Sequence, residues 1–135
     1  MNKEIEEKVV SAFVLKRKKE RVLYELFSEK KRDGLLFSLG VGGHSPIDSK
    51  YAFKIQQPLP TFEEVYKILK NHGAPETCYV LGGRTIDGEE VLLSNALKDV
   101  FGWGGALISC IHGKLAYLEG HLEIGAPNRY VLKRY

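Results

Sequence analysis

Four residues in two turns have side chains suited to binding a charged group. Arg84 and Asp87 fall in the loop formed by residues 82–90, and His112 and Lys114 lie at a short turn further along the chain. Basic side chains beside a carboxylate make a partly basic cluster, which suits an anionic ligand or substrate. We therefore predict that Arg84, Asp87, His112 and Lys114 form a ligand- or partner-binding site.

Convergence of these residues depends on how two apolar runs pair. If Thr77–Leu81 and Ala106–Ile111 are parallel neighbours, a right-handed crossover through a helix at residues 94–101 joins them. The loop 82–90 and His112 then share the carboxyl edge of the sheet, where open α/β sheets place their binding sites. We therefore expect the cluster to meet at this edge.

The same residues also have a purely structural interpretation. Asp87 and Gly88 form an ordinary turn pair, and histidine tolerates the backbone conformations of tight turns. Glu89 and Glu90 complete the predicted cluster. The two interpretations differ in whether the side chains share a pocket.

Two apolar runs flank His112 and Gly113, and this pattern predicts an antiparallel hairpin with a two-residue type I′ turn. Directly opposed residues share a face of the sheet, so the turn also predicts a register. The expected pairs are Ile111 with Lys114, Cys110 with Leu115, Ser109 with Ala116, and Ile108 with Tyr117. Both faces of the hairpin are apolar, which predicts interior strands that are covered on each side.

A zinc site is the next hypothesis to weigh, because His112, Glu119, His121 and Glu123 offer nitrogen and oxygen ligands. His112 and His121 lie at opposite ends of one predicted strand, nine positions apart at roughly 3.3 Å per residue, which is far beyond the reach of one ion. One ion cannot bind both, so we predict no metal. No cofactor is predicted either.

Two further residue types have structural interpretations. Cys78 and Cys110 sit in apolar runs, where cysteine is most often a small buried hydrophobe, so we expect reduced thiols and no disulfide. Trp103 lies between glycines after a helix, and we interpret it as a packing anchor. An exposed tryptophan at this position would instead make a strong binding hot spot.

Charge is concentrated near the N-terminus. Residues 1–34 hold ten basic and seven acidic side chains, which accounts for the whole excess of the +3 net charge. A basic helix of this kind suggests sequence-independent nucleic-acid binding, although interleaved glutamates are typical of a solvated, salt-bridged face. The candidate phosphate-binding residues within segment 16–32 are Lys16, Arg17, Lys18, Arg21, Lys30, Lys31 and Arg32.

The elements around these residues predict an α+β fold in which N-terminal helices precede a small mixed β-sheet with helices packed on it. Residues 3–28 form one long helix or two that meet near residues 15–18, and a short helix follows near 35–39. Thr61 begins a capping box, a strand and a helix capped by Ser94 come next, and a strand near residues 129–134 follows the hairpin.

We predict a single domain over residues 1–135, with a helical part at 1–39, a capped helix and mixed sheet at 61–135, and a hinge at 57–60.

The 135 residues contain no apolar run long enough to cross a bilayer and begin without a signal peptide, so a cytoplasmic protein with no membrane partner is expected. The leading hypothesis is a non-enzymatic protein that binds a macromolecular partner, most simply another protein. One alternative is nucleic-acid binding through residues 16–32. The other is a small enzyme that acts on an anionic substrate at Arg84, Asp87 and His112.

Overall fold

The computed structural model describes residues 2–41, 45–55, 61–120 and 128–134. The helices are α1 (Lys3–Phe13), α2 (Lys19–Leu26), α3 (Arg32–Phe37), α4 (Phe62–Asn71) and α5 (Leu93–Val100). The strands are β1 (Ala52–Lys54), β2 (Thr77–Leu81), β3 (Glu90–Leu92), β4 (Ala106–Ile111), β5 (Leu115–Glu119) and β6 (Arg129–Lys133). Short 3-10 turns lie at Lys16–Lys18 and Ser49–Tyr51.

One six-stranded sheet in the order β1-β6-β5-β4-β2-β3 separates two layers of helices. Helices α1 to α3 pack on one face, over sheet residues such as Tyr79, Leu107 and Leu118. Helices α4 and α5 pack on the other face, over residues such as Ile108 and Tyr117. The α+β class and the prediction that the hairpin is covered on both sides are confirmed.

The predicted parallel pairing of β2 with β4 is wrong. The two strands are antiparallel, with Tyr79 opposite Ser109 and Leu81 opposite Leu107, and the sheet of the described residues is antiparallel instead of mixed. Strand β3 was not predicted, and it causes the difference because it returns the chain to the start of β2. Helix α5 then carries the chain to the end of β2, and β4 runs back alongside it.

The predicted hairpin is present, but its turn differs from the expected one. Of the two central turn residues, His112 and Gly113, only Gly113 has a positive φ, at +84°. Lys114 donates its backbone N–H to the Ile111 carbonyl oxygen at 2.9 Å, so the turn resembles a type II turn. Three residues, 112–114, therefore form the loop.

The longer loop also shifts the register next to the turn. Ile111 pairs with Leu115, not with Lys114, and Cys110 forms a bulge instead of pairing with Leu115. Beyond the bulge, the predicted pairs Ser109 with Ala116 and Ile108 with Tyr117 are confirmed.

Some of the helix predictions are confirmed and others are wrong. Two N-terminal helices are found, not one long one. Thr61 caps α4 by accepting the backbone N–H of Glu64 at 3.2 Å, as predicted. The prediction that Ser94 caps a helix is wrong, because α5 begins at Leu93 and its start has no side-chain cap. The predicted hinge at 57–60 lies outside the described residues.

None of the described helices is both long and apolar enough to cross a membrane.

A buried ion-pair network joins α1, α3 and the loop after β2. Arg32 opens α3 and is 5% exposed. Its guanidinium donates to both carboxylate oxygens of Glu6 at 2.8 and 2.9 Å, to both of Asp87 at 2.9 Å, and to the Leu26 carbonyl at 3.0 Å. All five of its N–H groups are used, and although burial lowers the pKa of Arg32, the hydrogen bonds and charges of Asp87 and Glu6 raise it above its ordinary value.

The carboxylates of this network have further partners. Tyr79 donates its hydroxyl hydrogen to Glu6, and burial together with this hydrogen bond raises the pKa of Tyr79 to about 12. The tyrosine oxygen in turn accepts the backbone N–H of Asn2 at 2.9 Å, beside the start of α1. Asp87 accepts the backbone N–H of Gly82 at 2.9 Å. The network therefore fixes both the first helix and the loop that follows β2.

Chemical modification of the cysteines tests the core beneath α4 and α5, to which both Cys78 and Cys110 belong. Burial raises the pKa of both Cys78 and Cys110 to about 12, and both thiols are free. At about pH 8 only about one thiol in ten thousand is then ionised, so a disulfide reagent should leave the native protein unmodified and label both thiols in denaturant. Since the unfolded thiols titrate near about 8.5, stability should also fall as pH rises above that value. Rapid labelling of the native protein would contradict this prediction.

Substitution of Arg32 tests the network. Arg32→Met leaves Glu6, which is fully buried, without its counterion, and we expect the free energy of unfolding in urea to fall by about 3–5 kcal/mol. Arg32→Lys keeps the charge but loses the five-donor fork, so its effect should be intermediate. Arg21 has an 81% exposed side chain and provides the matched control, because Arg21→Met should change stability by less than about 0.5 kcal/mol. A loss below about 1 kcal/mol for Arg32→Met would show that the network does not hold the fold.

Candidate binding cleft

A cleft of about 370 Å³ opens where three segments meet at one end of the sheet. The segments are the last turns of α3, the loop that follows β2, and the chain that leads into β4. We call it the Trp103 cleft. Its lining residues are Asp33, Leu36, Phe37, Gly82, Gly83, Arg84, Asp87, Trp103, Gly104 and Gly105.

The floor of the cleft is backbone, because two glycines bring its segments into contact. A Cβ atom on Gly82 would lie 2.7 Å from the Gly105 carbonyl oxygen, and one on Gly105 would lie 3.0 Å from the Leu36 carbonyl oxygen. Both glycines also have positive φ, at +94° and +62°. Larger residues would separate the segments, so the floor depends on glycine at both positions.

The rim of the cleft carries two exposed aromatic side chains. Trp103 is 53% exposed and Phe37 is 59% exposed. The guanidinium carbon of Arg84 lies 5.2 Å from the Trp103 ring centroid, within cation–π range. The prediction that Trp103 is a packing anchor is therefore wrong. The side chain is exposed, as the alternative of a binding hot spot requires.

The loop that carries Arg84 is fixed by a carboxylate on α5. Asp99 accepts the backbone N–H of Arg84 at 2.7 Å, the backbone N–H of Thr85 at 3.3 Å and the Thr85 hydroxyl at 2.9 Å. At its other end the loop is closed by the bond from Gly82 to Asp87. Arg84 is therefore held by its main chain, which leaves its side chain on the rim.

The charged side chains of Arg84 and Asp33 at the rim lack ion-pair partners, unlike those of the network below them, in the part of the chain that the structure describes. In the described part of the chain, no carboxylate forms an ion pair with Arg84, and no basic group forms one with Asp33. Asp87, by contrast, is bonded to Arg32 and Gly82. The rim thus offers one charge of each sign to a ligand.

The structure separates the predicted site residues into two groups. Arg84 and Asp87 line the Trp103 cleft, whereas His112 and Lys114 lie at the hairpin turn, at the opposite end of β4. The expected convergence at one edge does not occur, because β2 and β4 are antiparallel.

His112 is instead bonded within the sheet. Its Nδ1 lies 2.7 Å from the Ser109 hydroxyl oxygen. Burial lowers the pKa of His112 below its ordinary value, so the ring is neutral near neutral pH. Ser109 is fully buried, and its hydroxyl is closed to a substrate. The pair is a partly buried hydrogen bond and not a nucleophile with its base.

The residues weighed as metal ligands do not assemble in the part of the chain that the structure describes. Glu119 is fully buried and accepts hydrogen bonds from Tyr117 at 2.9 Å, Arg129 at 3.2 Å and the Gly104 N–H at 2.8 Å. No cluster of three His, Cys, Asp or Glu side chains that could hold a metal ion occurs among the described residues. His121 and Glu123 lie outside them.

The basic segment loses one of its predicted phosphate ligands. Arg32 is buried between Glu6 and Asp87, so it is not available to a nucleic acid. The other candidates lie outside the core, and Lys16, Arg17, Arg21, Lys30 and Lys31 are exposed.

Sequence reasoning also missed two residues of the cleft, Phe37 and Asp33. Both belong to α3, which follows the second helix in the chain and has no local signal that places it beside the loop after β2. The pairing of Arg32 with Asp87, across 55 residues, and the close approach of Gly105 to Leu36 bring them there.

Comparisons with known proteins add no family to this description. No protein-family model matches the chain, and no match was found among curated proteins or solved structures. The functional argument therefore rests on the geometry of the described residues.

Proposed function

We propose that this protein is a non-enzymatic interaction module that binds a segment of a partner protein in the Trp103 cleft. The observation that carries the proposal is the half-exposed Trp103 with the Arg84 guanidinium over its ring. Tryptophan and arginine are the residues most enriched among the anchors of protein interfaces. Burying them against a partner removes apolar surface from water and gives Arg84 a carboxylate to bind.

The shape of the cleft supports a peptide segment as the occupant. A side chain of the partner can lie on the glycine floor between Phe37 and Trp103, where it meets backbone and aromatic surface. A carboxylate on a neighbouring residue suits Arg84, and an N–H group suits Asp33. We therefore propose a partner segment with an apolar residue next to an acidic one.

The enzyme alternative has less support. Its three proposed groups are divided between two ends of the sheet, and Asp87 already has Arg32 and Gly82 as partners. A binding module, by contrast, requires only the exposed side chains of the rim and the glycine backbone of the floor. A cytoplasmic setting belongs to the same proposal and is supported by the free, buried thiols of Cys78 and Cys110.

A peptide selection tests the proposed function. Random peptides displayed on phage should yield binders to the purified protein, and because Trp103 is the only tryptophan, its fluorescence should change on binding. With a labelled selected peptide, Trp103→Ala should weaken binding by about thirtyfold, equivalent to about 2 kcal/mol. Arg84→Gln should weaken binding about tenfold for peptides that carry an acidic residue.

Phe53→Ala is the matched control, since Phe53 is a 48% exposed aromatic on β1, away from the cleft. Its affinity for the peptide should stay within about twofold of the unmodified protein. Binding that survives Trp103→Ala, or binding without any change in tryptophan fluorescence, would place the interaction elsewhere and refute the proposal.

A further inference from the structure

A second surface combines exposed basic side chains with an exposed aromatic ring, on the helical layer formed by α1 to α3. Arg21 and Tyr24 lie three residues apart on α2, which places them on one face of that helix, and Arg17 precedes Arg21 in the adjoining 3-10 turn. The ammonium group of Lys31 lies 5.0 Å from the Tyr24 ring centroid. We call these four residues the α2 surface.

Tyr24 is not placed by core packing. Its side chain is 64% exposed, whereas its neighbours Leu23 and Phe27 pack against the core beneath α1 to α3. A large ring on the outer face of a short helix exposes apolar surface to water and does not stabilise the core. The exposed ring therefore offers a surface on which a partner can stack.

The charges around Tyr24 point to an anionic partner. Once Arg32 is set aside as part of the buried network, residues 16–31 carry seven basic and three acidic side chains. The nearest internal compensation is weak, because the Arg21 guanidinium lies 3.7 Å from the Glu25 carboxylate and its side chain is 81% exposed. The surface therefore keeps a net positive charge.

We propose that the α2 surface binds single-stranded nucleic acid without sequence preference. A base can stack on the exposed ring of Tyr24 while its neighbouring phosphates meet Arg17, Arg21 and Lys31, and both contacts are independent of base identity. A duplex would offer phosphates but no free base face, so a single strand matches both the exposed ring and the basic side chains. The inference does not depend on the Trp103 cleft, which shares no residue with this surface.

Fluorescence anisotropy with a labelled oligothymidylate tests the proposal. The unmodified protein should bind with a micromolar Kd at low salt. Arg17→Gln with Arg21→Gln should weaken binding by at least about tenfold and lower the salt slope by about 1.4, since each lost phosphate contact contributes about 0.7 on a single strand. Tyr24→Leu should weaken binding by about fivefold or more, the loss of one stacked base, without changing the salt slope.

The matched control removes the same charge from the other helical layer. Lys67→Gln with Lys98→Gln changes exposed residues of α4 and α5, and its Kd should stay within about twofold of the unmodified protein. Equal weakening by the control pair would mean that only net charge matters and would overturn the proposal. So would tighter binding to a duplex that Tyr24→Leu leaves unchanged, or no binding of the oligothymidylate at low salt.

Discussion

One buried guanidinium determines how the N-terminal helices meet the sheet. Arg32 holds Glu6 of α1 and Asp87 of the loop after β2 with paired hydrogen bonds, while its own backbone begins α3. Two carboxylates face one cation, and the remaining acceptor capacity is filled by Tyr79 and by the backbone of Gly82. Burying such charges is costly unless every hydrogen bond is made, so the geometry has little freedom.

The Trp103 cleft follows from this arrangement. Asp87 holds Gly82, Gly82 touches the backbone at Gly105, and Gly105 touches the end of α3, which Arg32 began. These contacts link α3, the loop after β2 and the segment before β4 in a ring, and the cleft lies between the three segments. On the other side, Glu119 accepts the Gly104 N–H and fixes the segment that carries Trp103. The backbone of the segments that carry Arg84 and Trp103 is thus fixed by hydrogen bonds, and both side chains lie at the rim of the cleft.

Local patterns predicted much of the fold, and long-range pairings were what the sequence did not reveal. The Thr61 cap and the hairpin involve residues close in the chain, and both were predicted correctly in outline. The antiparallel pairing of β2 and β4 depended on β3, a strand of only three residues that ends in the half-exposed Leu92 and leads directly into α5. In the cleft, Arg84 was predicted, but the partners of Arg32 lie 26 and 55 residues away and cannot be inferred from spacing.

The glycine floor divides the cleft into a part that cannot change and a part that can. Gly82 and Gly105 have no room for a larger residue, because their neighbours are main-chain atoms that every sequence shares. Phe37 and Trp103 are exposed and contribute little to the core, so replacing them should cost little stability, about 0.5 kcal/mol for a surface position. Over evolutionary time the side chains of the rim can therefore be exchanged while the fold beneath is inherited intact.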